Sequence, residues 1–298
     1  MVSRRFTFGS GGEDDSTIRH SPFIRTQPKA AAGPDGKPGI SRVVRSGQVV
    51  PIPTPGLPYV GLLTDHEWSL VILLFGPPGS GKGTQGRMII EWLQPQIPSI
   101  STGEILRAEI AAGTPLGLET KSIIASGGLV GDEIINRIVR HRISQPDCAR
   151  GFMLDGYPRT LGQAEFLDEE LAAKGMSEPV VVHLDVPAEV LISRIICRRQ
   201  CRDCGAMFNI LSRRPHIRGR CDECSGILIV RYDDREEVIR ERLRAYEAQT
   251  QPVLAHYYNG FYCHIPGDRS PVYIFEAITH FLEPFAIAHA GGGKVSGS

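Results

Sequence analysis

The chain lacks any long run of one charge: among its 298 residues 33 basic side chains are matched by 33 acidic ones, and the formal net charge is zero. That balance removes the electrostatic footprint of a nucleic-acid or anionic-membrane binder, so any anion site must be built from local arginines. No uninterrupted apolar stretch approaches the roughly 20 residues of a membrane helix, and no apolar core of a secretory signal follows Met1. No internal repeat is visible. The expectation is a soluble, cytoplasmic protein whose 41% hydrophobic content suffices for a real core.

What cysteine there is sits unevenly. Five of the seven fall between Cys197 and Cys224, leaving Cys148 and Cys263 alone as core or surface thiols. An odd, clustered count suits metal binding better than a secreted disulfide framework. Cys201-x2-Cys204, sixteen residues, then Cys221-x2-Cys224 has the spacing of a four-thiolate zinc site. The competing readings are a redox pair or chance clustering. Gly205 and Gly226 follow the two pairs where tight turns tolerate positive backbone angles, and Cys197 is expected to stay unligated. A closed shell of four thiolates leaves no position for water or substrate, so the zinc would be structural.

Residues 1 to about 66 are rich in Gly, Pro, Ser and Arg without sustained periodicity and are expected to form a disordered or loosely attached extension. Its first eight residues have some flavour of a transit peptide, but Glu13-Asp14-Asp15 comes early, so organelle targeting is the less favoured reading. Residues 291–298 form an expected flexible tail. Between them, short apolar runs alternate with amphipathic stretches, which argues for a parallel sheet with helices on both faces. The expected strands are 70–75, 98–101, 152–155, 180–185 and 262–266. Expected helices are 103–112, 115–126, 132–144, 188–199, 234–249 and 271–281, with Asp234 and Glu237 resembling a capping box.

The segment Gly76-Pro77-Pro78-Gly79-Ser80-Gly81-Lys82-Gly83-Thr84 joins the first strand to a helix. Closely spaced glycines let the backbone wrap a polyphosphate and aim a helix N-terminus at it, with Lys82 reaching the terminal phosphates. Nucleotide chemistry is therefore the first hypothesis. Gly83 stands where the general P-loop has Ser or Thr, and Thr84 comes next.

Together with that loop, Ser101-Thr102-Gly103-Glu104-Ile105-Leu106-Arg107, the segment from Gly151 to Thr160 containing Asp155-Gly156-Tyr157-Pro158-Arg159, and Arg231-Tyr232-Asp233-Asp234 resemble adenylate kinase in its long-lid, zinc-bearing form. The resemblance runs from about residue 70 to about 281. It implies an α/β P-loop three-layer fold with a five-stranded parallel sheet, an AMP-binding helical insert at about 102–130 and a zinc-binding lid at about 200–230, the whole domain covering 67–290. It implies an enzyme that reversibly transfers the terminal phosphoryl group of ATP to AMP, giving two ADP, with Mg2+ as cofactor and a monomer as the expected state. No protein nucleophile is needed, because catalysis consists of in-line positioning and charge neutralisation.

By the same resemblance, Lys82 and the amides of Gly79, Ser80, Gly81, Gly83 and Thr84 hold ATP, joined by Arg194, Arg198, Met207, Phe208 and Arg269. Arg198, Arg231 and Arg242 reach the transferring phosphate. Arg107 and Arg159 grip the AMP phosphate, while Thr102, Gly128, Leu129, Val130, Gly156, Tyr157, Pro158 and Gln163 surround the acceptor nucleotide. Gln163 is informative because an amide can pair with the edge of adenine. Asp155 would hold Mg2+ through water, and Asp233 and Asp234 would orient the lid arginines or simply cap the next helix. Phe208 could equally pack the small zinc domain. His141, His183 and His256 read as ordinary surface or core histidines.

Three features depart from the family pattern: Glu104 stands for an Asp, Gly131 for a Pro or Thr, and Pro95 and Pro98 make the first helix after the loop irregular. The alternatives are a kinase of another nucleoside monophosphate or with GTP as donor, and a nucleotide-binding regulator without turnover. A zinc-finger nucleic-acid module is weaker still, since the knuckle lacks a basic recognition helix.

Overall fold

The computed structural model describes residues 43–45, 48–50 and 69–291. Val43–Arg45 (β1) and Gln48–Val50 (β2) pair antiparallel; the rest of the N-terminal extension and the tail from 292 lie outside the described residues. From residue 69 the chain runs through β3 (Leu70–Phe75), α1 (Lys82–Trp92), β4 (Ser99–Ser101), α2 (Thr102–Ala112), α3 (Pro115–Ser126), α4 (Asp132–Ile143), β5 (Gly151–Asp155) and α5 (Leu161–Ala173). It continues through β6 (Val180–Asp185), α6 (Ala188–Ile196), β7 (Arg198–Cys201), β8 (Met207–Asn209), β9 (Leu228–Ile229), α7 (Glu236–Ala245), α8 (Leu254–Tyr257), β10 (Phe261–Pro266) and α9 (Pro271–Gly291).

Five strands form one parallel sheet in the order β10-β6-β3-β5-β4. The central strand β3 is apolar throughout because both of its faces are covered. Val71, Leu73 and Phe75 pack towards Ile135, Val139 and Ile143 of α4 and Ala164, Leu167 and Leu171 of α5. Leu70, Ile72 and Leu74 face the other way, onto Ile89 of α1 and Ile274, Ile278, Phe281 and Leu282 of α9. This is a three-layer α/β architecture with all five strand carboxyl ends along one edge, where ligands collect.

Local chemistry sets the boundaries. Ser101 caps α2 by accepting from Glu104 N at 3.4 Å, and Gly113 ends it in the left-handed region. Thr114 caps α3 from Gly117 N at 3.1 Å, with Pro115 in its first turn.

Helices α5 and α8 lie outside the expected stretches, and four other helices differ from expectation in their bounds or regularity. Helix α6 stops at Ile196, and Arg198 to Cys201 instead forms the middle strand of an antiparallel sheet ordered β8-β7-β9. Helix α7 begins at Glu236 with Arg235 as an N-cap that makes no side-chain bond, and from Tyr246 to Thr250 it widens into a π-helical turn. The capping box is absent because the Asp234 carboxylate is taken by Arg198, 36 residues away. Helix α9 runs on through Pro284 to Gly291. Helix α1 is regular and ends at Trp92 with Leu93 as its C-cap, so Pro95 and Pro98 lie beyond it and do not disturb it.

Candidate functional site

One cleft of about 1510 Å3 opens at the carboxyl edge of the sheet, larger than the roughly 300–1,000 Å3 of a single small-ligand pocket. Every nucleotide-site residue named above lines it except Tyr157. The Tyr157 ring is 1% exposed in the core, and its hydroxyl bonds to Asn136 Oδ1 at 2.8 Å and Gln163 O at 3.1 Å, so it braces the turn from behind.

The glycine loop is held close to α6. Gly79 adopts φ +85, and a Cβ there would meet Ile195 Cγ1 at 2.7 Å, so the position excludes any side chain. Helix α1 starts at Lys82 with no acid in its first turn, so its positive end suits an anion, while the Ser80 and Thr84 amides donate to Pro77 O at 3.1 Å and Gly81 O at 3.0 Å. Lys82 Nζ donates to the carbonyls of Gly76 at 2.6 Å and Pro77 at 3.0 Å. Burial lowers its pKa to about 8; Asp155 opposes the shift, while Arg159, Arg242 and Arg198 add to it. Beside it the Ser80 hydroxyl is buried and has no hydrogen-bond partner among the described residues.

Across the cleft, the turn after β5 carries Arg159. Its Nε donates to Gly156 O at 2.7 Å and its backbone N to Gln163 Oε1 at 2.8 Å. Burial pushes its pKa down to about 10, reinforced by Arg242 and Arg107 against Asp155 and Asp233. The Gln163 amide is engaged at both ends, since Nε2 also donates to Asp132 Oδ1 at 2.7 Å. Thr102 Oγ1 donates to Gly156 O at 3.1 Å.

Two carboxylates assemble the remaining arginines. Asp234 receives a two-pronged bond from Arg198 and lies 3.6 Å from Arg242. Asp233 accepts from Arg242 at 3.0 Å and stands 4.0 Å from Arg107. Burial alone would raise the Asp233 carboxyl, but Arg242, Arg107, Arg231 and Arg198 outweigh it and hold it below the usual carboxylate range. Its Oδ1 is buried and has no hydrogen-bond partner among the described residues. Arg231 is placed by Gln200 Oε1 at 2.7 Å and Met207 Sδ at 3.3 Å, and burial lowers its pKa to about 10. Arg194 donates to Gly267 O at 2.8 Å, whereas Arg269 is exposed and only 3.8 Å from its neighbour Asp268. Sequence reasoning missed Gln200 and read Asp132 only as a helix start, because both act through partners some thirty residues away.

The four thiols of Cys201, Cys204, Cys221 and Cys224 converge beside the three-stranded sheet, all their sulfurs within 4.8 Å of one another. Two pairs lie at 3.5 Å, close to the sulfur separation of about 3.8 Å that a tetrahedral zinc with 2.3 Å bonds requires. The donor set fits zinc. Positive φ falls at Gly205 and at Ser225 instead of Gly226; Gly226 is needed for space, since a Cβ would press on Cys201 Sγ at 2.9 Å. Phe208 is 2% exposed and forms the core of this unit with Cys201, Ala206 and Cys221. His183 is a core histidine, its Nδ1 2.7 Å from Tyr262 Oη, and burial lowers it to about 4. No helix among the described residues is long and apolar enough to cross a membrane.

A family model described as adenylate kinase matches residues 74–261. Curated proteins named adenylate kinase are similar over most of their own length. That of Thermodesulfovibrio yellowstonii is 44% identical over 213 residues, covering 71% of this chain and 98% of the relative. Those of Carboxydothermus hydrogenoformans and Methanothrix thermoacetophila are 45% and 46% identical, each covering 99% of the relative and 71% and 72% of this chain. Glycine loop, facing arginines and four-cysteine sheet all lie within the matched residues 74–261, and the chain belongs to the adenylate kinase family.

Proposed function

We propose that the cleft transfers the terminal phosphoryl group of ATP to AMP, reversibly, giving two ADP. The observation that carries this reading is the meeting of cations from two sides: Lys82 of the donor loop shares its surroundings with Arg159, from the turn after β5, and with Arg198 and Arg242. A site that only binds ATP needs no guanidinium on the far side of the terminal phosphate, whereas charge spread over a moving phosphoryl group does.

In this reading the loop amides and Lys82 hold the donor phosphates, with Arg194, Met207, Phe208 and Arg269 along the same wall. Arg107 and Arg159 fork onto the acceptor phosphate, and Gln163, Thr102 and the 128–130 backbone address the base. Arg198 and Arg242 exchange part of their carboxylate partners, and Arg231 its Gln200 and Met207 contacts, for phosphate oxygens as the cysteine-bearing lid closes and excludes water. Mg2+ would supply charge neutralisation between the phosphates; the Asp155 carboxylate, a hard oxygen donor beside Lys82, fits that ion. The excess of cationic side chains lining the cleft supports ATP, AMP and ADP as the partners.

The test is a coupled assay with ATP and each of AMP, GMP, CMP and UMP as acceptor. Strong turnover with AMP alone is expected; turnover with another acceptor, or none at all, overturns the reading. A second expectation concerns pH. The unliganded Lys82 titrates near 8, and bound polyphosphate favours its charged form, so ATP binding at pH 8–9 takes up protons and weakens as pH rises through that range. Calorimetry in two buffers of different ionisation enthalpy measures the uptake, and none at pH 8.5 removes Lys82 as the phosphate ligand.

A further inference from the structure

We propose that Asp132 is the positioning residue that locks the orientation of the Gln163 amide and thereby makes the acceptor site selective for a 6-amino over a 6-oxo purine. The inference rests on the reading above that Gln163 meets the acceptor base.

An amide side chain can present either its oxygen or its nitrogen to a given direction, and rotation by half a turn exchanges the two. Gln163 has no such freedom. Its Nε2 is 2.7 Å from Asp132 Oδ1, a carboxylate that only accepts. Its Oε1 is 2.8 Å from the backbone N–H of Arg159, which only donates. Rotating the amide would set oxygen against carboxylate and N–H against N–H at the same time. With Gln163 2% exposed, no water is at hand to repair either clash.

Asp132 is itself fixed. Its second oxygen accepts from Thr160 Oγ1 at 2.6 Å. Gly162 leaves room for that oxygen, since a Cβ there would stand 3.3 Å from it. One turn along α4, Asn136 Oδ1 binds the Tyr157 hydroxyl, which also bonds Gln163 O. Asp132 and Asn136 therefore hold the 157–163 turn from one helix face, and Gln163 lines the cleft while Asp132 stands behind it.

Each end of the Gln163 amide keeps one unused valence, a lone pair on Oε1 and a hydrogen on Nε2. Adenine offers a matching pattern, an amino donor at position 6 beside a ring acceptor. A 6-oxo purine replaces that donor with an acceptor, which faces the locked oxygen with like polarity. Accepting it would require the rotation that Asp132 forbids.

The experiment compares AMP and IMP as acceptors for the unaltered chain, Asp132→Ala and Asp132→Asn, with thermal unfolding of each. For Asp132→Ala, the ratio of kcat/KM for AMP to that for IMP is expected to fall roughly tenfold, through acceptor KM, with the ATP KM unchanged. Asp132→Asn is expected to keep the ratio within about threefold, since its Oδ1 can still accept from Gln163 and its Nδ2 can donate to the Thr160 hydroxyl oxygen. An unchanged ratio in Asp132→Ala overturns the proposal, as does a uniform loss in kcat and both KM values, which marks a merely structural role. If the unaltered chain turns over no AMP, the functional reading fails instead, so the two failures are told apart.

Discussion

Replacing Arg159 with alanine is expected to lower kcat by about a thousandfold while ATP affinity stays within a few-fold, the scale set by removal of a preorganised donor or arginine from a developing charge. The residue is already aimed: Gly156 O holds Nε and Gln163 holds the backbone, so the terminal nitrogens remain as donors for a phosphate. Arg159→Lys should not restore activity, because an ammonium cannot make two parallel bonds to a phosphate from that stem. Stability should move the other way. Arg159 is a partly buried cation whose charge is disfavoured by desolvation and by Arg242 and Arg107, so its loss relieves repulsion, and the alanine variant should unfold at the same temperature or higher. A dead enzyme with a lowered unfolding temperature would point to misfolding, and an unchanged kcat would remove Arg159 from the acceptor site.

The second large effect is expected from the cysteines. Stripping the metal with a chelator, checked by elemental analysis, should lower the unfolding temperature, because strands of only two to four residues and a four-member core hold that unit together otherwise. A loss of about 3 kcal/mol corresponds to roughly 6–12 °C for a domain of this size. Activity should fall with it, since Arg198 sits on β7 and Arg231 leans on Gln200 of the same strand. Cys204→Ser should reproduce both effects. Verified metal removal without a thermal shift would contradict the structural role.

The parallel sheet was legible because its strands are short apolar runs ending in turn residues, and all five stand within one residue of where pattern alone puts them. Side-chain partnerships were less so. Residues 198 and 199 continue the helical pattern of 188–199, and only pairing with Met207–Asn209 and Leu228–Ile229 makes them part of a strand. Asp234 has the spacing of a cap, yet the partly buried Arg198 competes for its carboxylate more strongly than exposed helix amides do. Asp132 carries no local mark of its link to Gln163. In each case the deciding interaction joins residues far apart in the chain, which periodicity cannot register.

The neutrality of the chain hides a polarised surface. Eleven cationic and six acidic side chains line the cleft, and since the whole chain sums to zero, the rest of the protein carries the opposite excess. Low-dielectric walls focus such a field outward from the opening. Anionic nucleotides are therefore drawn to the mouth faster than free diffusion would deliver them, and the advantage shrinks as added salt shortens the Debye length.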